Sequence, residues 1–257
     1  MTERRSPIPP GATARRALDV AGALLGMIVA APLLAAAAIG IRLSSRGPIL
    51  YRAPRAGVGG STFLMYKLRT MHVMTVAGHR ITTERDPRVF ALGAFLRRTK
   101  IDELPQLLNV LRGEMALVGP RPEDPVLVER HYTAWQRETL RVRPGLTSPG
   151  SLYYDAGAKR LVEGDDPEER YVRDVLPLKL ALDLVYVRRA SLAYDLRLIG
   201  RTVVFLLGTF AGRQAFPDPP ELEEARRILA RVGGHTASGN GSAPTAPQAA
   251  ARSRGVA

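Results

Sequence analysis

The 257-residue chain carries 37 Lys+Arg against 24 Asp+Glu, a formal charge of +13, with 46% hydrophobic residues and no cysteine. That length allows one or two domains with a real core, and the missing thiols exclude disulfides and thiolate metal sites. The charge calls for a polyanionic partner, whether nucleic acid, phosphorylated ligand or anionic membrane surface, while four scattered histidines (72, 79, 131 and 235) lack metal-ligand spacing.

Residues 1–16 form a basic N-terminal segment. Val20 to Ile41 follows as an uncharged run of 22 residues. As a helix it measures about 33 Å, enough to cross a bilayer core, and it is too long for a signal-peptide apolar region. Four arginines precede it (Arg4, Arg5, Arg15, Arg16) and four follow (Arg42, Arg46, Arg52, Arg55), so the positive-inside comparison ties. Pro32 sits near the middle, where it removes a helical hydrogen bond and clashes with the preceding turn. Basic flanks and a central proline predict a helix-break-helix over 17–42 that dips into the membrane and returns. A kinked spanning helix is the alternative.

Residues 43–71 read as strand and turn, with Gly57-Val58-Gly59-Gly60 at the corner of a β-hairpin. The glycines are not a dinucleotide fingerprint, and neither a P-loop nor a nucleophile-elbow serine occurs anywhere in the chain. Helices are expected over 88–98, over Leu104 to Leu111 with Gly113 as C-cap, and over Val126 to Arg141. A short strand is expected from Met115 to Val118. Asp155 to Glu169 reads as a polar loop. From Val172 the pattern turns helical, and a second helix follows over Leu192–Thr209. Both can lie flat on a membrane or pack on the core. Residues 215–232 contain a surface helix, and 233–257, small, polar and Pro/Gly-rich, are expected to be disordered. The fold class expected is α+β, mostly α, with 43–214 as the catalytic domain.

The chemistry concentrates in KIDELPQLLNVLRGEMALVGPRP, residues 100–122. Asp102 and Glu103 sit among Arg97, Arg98, Lys100, Arg112 and Arg121. Asp102 can serve as an N-cap, although Pro105 at N3 has no N–H to offer it. Neighbours on a helix point about 100° apart, so the two acids suit different tasks. The basic surroundings and a helix N-terminus are expected to lower a carboxylate pKa and keep it ionised. An ionised carboxylate can attack phosphorus, guanidinium forks match phosphate oxygens, and a diphosphate substrate calls for Mg²⁺ on one or two carboxylates.

These residues resemble the bacterial sugar transferases, the monotopic polyprenyl-phosphate phosphoglycosyl transferases. The likeness runs from about Arg15 to Gly208 and rests on YKLRTM (66–71), DPRVFALGAFLRRTKIDELPQLLNVLRGEMALVGPRP (86–122), RPGLT (143–147) and LDLVYVRRASLAYDLRLI (182–199). The resemblance implies that Asp102 attacks the sugar-bearing phosphate of a UDP-sugar, UMP leaves, and undecaprenyl phosphate takes the phosphosugar from the aspartate. It makes Glu103 the partner acid and, with Asp102, a Mg²⁺ ligand. It places Lys67, Arg97 and Arg121 where they orient phosphates or the acid pair.

The same resemblance implies a re-entrant helix broken at Pro32 and a place on the cytoplasmic face of the cell membrane, in the family's minimal form. Two departures stand out. Ala31-Pro32 replaces a Ser-Pro at the break, and SPGSLYYDAG follows RPGLT where the family continues differently. A non-catalytic membrane scaffold with the same fold is the rival reading. A nucleic-acid partner is not expected, because aromatic residues are only 6% and no recognition motif is present.

Overall fold

The computed structural model describes residues 12–73, 86–213 and 215–238. The apolar run forms one helix, α1 (Ala12–Ser44), with Pro32 inside it. The break expected at Pro32 does not interrupt the element. A proline costs one hydrogen bond and a local clash, which a 33-residue helix absorbs within its length. Asp19, Ala23, Ala30, Ala37 and Ile41 are buried along one side, while Leu24, Leu25, Ile28, Val29, Leu33 and Ile39 are exposed on the other. These two sets follow the helical period, so α1 lies along the rest of the protein and presents an apolar outer face. It is long and apolar enough to cross a membrane, and its exposed side chains fit a lipid environment far better than water.

The hairpin is present. Strands β1 (Leu50–Ala56) and β2 (Thr62–Leu68) pair antiparallel, with Tyr51 opposite Lys67. Gly59 and Gly60 at the corner have positive φ, which glycine adopts without a Cβ penalty. Helix α2 (Ala91–Arg98) leads into a 3₁₀ turn, Ile101–Gln106, and then α3 (Leu107–Arg112). Gly113 ends α3 at φ 80°, as the C-cap reading requires. Strand β3 (Ala116–Val118) pairs in parallel with β4 (Gly145–Thr147), so the RPGLT motif supplies a strand. A Cβ on Gly145 would stand 2.1 Å from the Gly119 nitrogen, so only glycine permits this backbone approach beside Pro120-Arg121-Pro122.

Three sequence expectations change in the C-terminal half. The helix expected over 126–141 is two pieces, α4 (Pro125–His131) and a 3₁₀ turn Gln136–Arg141. The loop expected over 155–169 contains helical structure: α5 (Pro149–Ala156), a 3₁₀ turn Ala158–Val162 and α6 (Pro167–Arg170). Ser148 and Asp166 accept backbone N–H bonds from Ser151 and Glu169, and each precedes a proline at the first helical position. Both are standard helix starts. A π-helical turn, Tyr171–Val175, leads into α7 (Leu176–Arg189), then α8 (Leu192–Phe210) and α9 (Leu222–Ser238).

Helix α7 does not lie on a surface. Nine of its residues, from Leu176 to Tyr186, are buried, and it packs between α5 and α9 in the core. Of α7 and α8, it is α8 that keeps an exposed apolar face, with Leu196, Val203, Val204, Leu207 and Phe210. Helix α9 continues to Ser238, past the expected limit at 232. The rest of the expected disordered tail and residues 1–11 of the basic segment lie outside the described residues.

Candidate active site

The 3₁₀ turn explains how the acid pair is presented. Residues three apart eclipse in this helix type, so Ile101 and Leu104 share a side. That side packs on Ala37, Ile41 and Leu34 of α1. Asp102 and Glu103 are thereby turned away from the membrane helix, each in its own direction. The turn opens on Lys100, not Asp102, and Lys100 is the one non-glycine residue with positive φ among the described residues (φ 61°). Such a strained conformation persists only where surroundings hold it. Here the Lys100 ammonium donates to Asp155 of α5 at 2.7 Å.

Glu103 is clamped. Lys67 Nζ, from β2, donates to Oε1 at 3.0 Å, and Arg121 Nη1 donates to Oε2 at 3.2 Å with Nη2 on Oε1. Burial alone would raise its pKa, but Arg121 and Lys67 more than reverse this and hold it well below the usual range. The same burial lowers the Lys67 pKa despite Glu103, and the Arg121 pKa rises because Glu103 outweighs burial.

Asp102 is the opposite case. It is 5% exposed, and Oδ1 is buried with no hydrogen-bond partner among the described residues. Burial, and next the Glu103 charge, push its pKa up to about 6, against Lys67, Lys100 and Arg97. The expectation that the basic neighbourhood lowers a carboxylate pKa therefore holds for Glu103 and not for Asp102. The cations nearest the pair are already satisfied by Glu103, and desolvation dominates at its neighbour. One 3₁₀ turn thus holds a firmly ionised acid beside one that ionises near neutrality.

Arg97, in the last turn of α2, makes no hydrogen bond or ion pair among the described residues, yet lies close enough to act on the Asp102 carboxyl. It is the spare cation of the group. Gly93 sets the depth of α2: a Cβ there would meet the Thr70 carbonyl at 2.1 Å. All five expected polar residues therefore gather at one place, although Lys67 and Arg121 contact the acid and only Arg97 remains uncommitted. Pro32 lies apart, within α1.

Several supporting residues have no role assigned from the sequence. Asn109, fully buried, accepts from the Tyr66 N–H at 3.0 Å and donates to the Leu64 carbonyl at 2.8 Å, docking α3 on the strand that carries Lys67. Buried Lys179 of α7 bonds Glu123 and the Tyr171 hydroxyl, fixing the chain just after Arg121. Asp183 accepts from the Gly150 N–H at the start of α5.

No group of three or more acidic or histidine side chains forms a metal cage among the described residues. The donor set present suits an oxygen-loving cation shared with a ligand: Asp102 Oδ1 lacks a partner, as does the buried Gln106 amide one turn on. A cation bound through one or two carboxylates and completed by substrate phosphates needs no more from the protein.

Residues 11–209 match the bacterial sugar transferase family. The chain is 41% identical over 199 residues to UDP-glucose:undecaprenyl-phosphate glucose-1-phosphate transferase of Caulobacter vibrioides, covering 76% of this chain and 70% of that protein. It is 38% identical over 200 residues to undecaprenyl-phosphate glucose phosphotransferase of Komagataeibacter xylinus, covering 74% of this chain and 35% of the relative. It is 31% identical over 210 residues to UDP-N-acetylgalactosamine-undecaprenyl-phosphate N-acetylgalactosaminephosphotransferase of Aeromonas hydrophila, covering 80% and 47% of the two chains. With the match extending over most of its length, the chain belongs to the bacterial sugar transferase family.

Proposed function

We propose that this protein transfers a sugar-1-phosphate from a UDP-sugar to undecaprenyl phosphate, with Asp102 as covalent nucleophile and UMP as the first product. The observation that carries the reading is the buried, unpartnered Asp102 carboxylate beside a Glu103 fixed by Lys67 and Arg121. In the first step an Asp102 oxygen bonds to the sugar-bearing phosphorus. The bond from that phosphorus to the bridging oxygen breaks, and UMP leaves with the electron pair. In the second step an oxygen of the lipid phosphate attacks the same phosphorus and the aspartyl–phosphorus bond breaks, which regenerates the carboxylate. Splitting one displacement into two lets one site serve a soluble donor and a lipid acceptor in turn.

Arg97 is the residue best placed to hold the donor diphosphate, being cationic and uncommitted. Lys67 and Arg121 act one step removed, by fixing Glu103. Asp102, with the remaining lone pairs of Glu103, is the set that would hold Mg²⁺, which would supply charge neutralisation on the diphosphate.

Both ends of α1 are fastened to one folded unit, which supports an unbroken α1 held at one face of the membrane with its apolar side in lipid. Arg16 donates to the Val110 and Leu111 carbonyls at 2.7 and 2.8 Å near the start, and Arg69 holds the Ser45 carbonyl at 2.7 Å at the end. The cytoplasmic face, where nucleotide sugars are available, completes the proposal.

The test is UMP release from a panel of UDP-sugars with purified protein, Mg²⁺ and undecaprenyl phosphate, followed by intact-mass analysis without the lipid. Release with one sugar and a phosphosugar adduct on Asp102 support the reading. No release and no adduct across the panel would favour a scaffold. Chelation of Mg²⁺ is expected to stop release, and undiminished turnover in chelator would remove the metal from the scheme.

A further inference from the structure

A cavity of about 670 Å³ opens behind the catalytic centre, in the size range of ligand sites. Leu152, Ala156 and Gly157 line it from α5, Val204 and Phe205 from α8, and Phe216 from the segment that follows α8. The Phe205 and Phe216 rings stand 4.3 Å apart and close its floor. The segment containing Phe216 lies beyond residues 11–209, the part matched by the family.

Three observations say what belongs there. The lining is mainly apolar, and Val204 continues into the exposed Val203, Leu207 and Phe210 of the same helix, so the cavity opens onto a surface suited to lipid. The helix forming its inner wall also serves the reaction: Asp155 of α5 holds Lys100, two residues from Asp102, while Leu152 and Ala156 face the cavity. The two sites are therefore separated by about one helix diameter, on the order of 10 Å. Basic groups stand at the cavity beside Asp218: Arg201 is held by Glu221 at 2.7 Å, while Arg213 donates through Nε to the Ala215 carbonyl and stands over the Phe216 ring.

We propose that this cavity holds isoprenoid units of the lipid phosphate acceptor, so that α5 separates the reacting head group from the seated chain. This inference rests on the proposed transfer reaction and adds the place where its second substrate is gripped. Helix α8 would lie in the membrane surface, and the chain would enter between it and the Phe216 segment.

Gly200 gives a clean test. It lines the cavity on α8, and a Cβ built there meets no atom within 4 Å. Gly200→Phe therefore starts from an unobstructed Cβ at the cavity wall and adds bulk there, and replacing glycine inside a helix favours folding. The variant is expected to raise the KM for undecaprenyl phosphate about tenfold and to narrow its preference over a short-chain isoprenyl phosphate. The first-turnover burst of UMP, measured without acceptor, reports separately on the donor side. An unchanged acceptor KM would overturn the inference, and so would a rise confined to the UDP-sugar KM, which would make the cavity a nucleotide site.

A binding measurement covers the case in which no UDP-sugar reacts. A diazirine-bearing polyprenyl phosphate in mixed vesicles should label peptides within 192–219, and unlabelled polyprenyl phosphate should compete where phosphatidylglycerol does not. Equal competition by the phospholipid, or no labelling of that region, would refute the assignment whatever the fate of the transfer reaction.

Discussion

At the scale of single residues, the asymmetry between Asp102 and Glu103 decides how the site responds to pH. A nucleophilic carboxylate must be ionised, and Asp102 ionises at about 6 because burial and Glu103 oppose its charge. In the metal-free protein the Asp102 carboxyl is thus expected to titrate with a midpoint near 6, and Mg²⁺ bound to it should move that midpoint down. A carboxyl titration of the metal-free protein, followed by NMR or infrared difference spectroscopy, that puts Asp102 near 4 would contradict this. The stability sign follows from the same shift. The folded pKa lies above the unfolded value of 3.8, so Asp102 costs the fold nothing where both states are protonated, costs progressively more as pH rises from 3.8 towards 6, and imposes its full penalty above that. Asp102→Asn should therefore lose at least about a thousandfold in turnover while melting no lower than wild type at pH 7. The removed penalty is on the order of 3 kcal/mol. Glu103 behaves differently, because it offsets two buried cations. Glu103→Gln should lower stability by roughly 3–5 kcal/mol, as breaking a buried ion pair does, and melting curves of the two variants separate the two roles.

At the scale of elements, the site depends on how the hairpin, the 3₁₀ turn and α3 are locked together. Asn109 acts as an extra strand partner for β2, bonding Tyr66 and Leu64 on either side of Met65. Asn109→Leu would leave the part-buried Tyr66 N–H and Leu64 C=O without this partner, at up to roughly 1 kcal/mol each. It should also slow catalysis by loosening Lys67 from Glu103. A variant with unaltered Tm and rate would show that α3 is docked by its apolar side alone.

Much of this scale is readable from the chain: the glycine corner gives the hairpin, Gly113 the end of α3, and the uncharged run gives α1. Other parts are not. Ser148-Pro149 and Asp166-Pro167 are proper helix starts, but the polar composition around them hides short helices held by tertiary contacts. The burial of α7 is also hidden, because its pattern fits equally a membrane surface and a core. At the site, the sequence marks Asp102, Glu103, Lys67, Arg97 and Arg121. It cannot reveal that Arg121 and Lys67 face the acid, because pairing across 18 and 36 residues is a property of the fold. Nor can it give the raised Asp102 pKa, which comes from burial.

At the scale of the whole molecule, the arginines that flank the apolar run take on a different meaning. Counted in sequence, they balance across α1 and leave its direction open. In the structure they are partly engaged, Arg15 with Asp195 at 2.6 Å and Arg16 at the end of α3, while Arg69, beyond that flank, holds Ser45. These contacts join the start of α1 to α8 and α3, and its end to the hairpin, so one folded unit holds both ends. A straight passage through the bilayer would carry the unit packed along α1, with its polar bonds at both ends, into the hydrocarbon. The expected arrangement has the unit on one side and the Leu25–Val29 face of α1 in lipid. The chain has no cysteine, so single-cysteine variants report without background. Thr13→Cys and Ser44→Cys, both at exposed positions, should react with an impermeant maleimide in inverted vesicles and resist it in intact cells. Ile28→Cys should resist in both. Labelling of either end from the outside would replace the one-face placement with a spanning helix, and would require the contacts of Arg16 or Arg69 to open in the membrane.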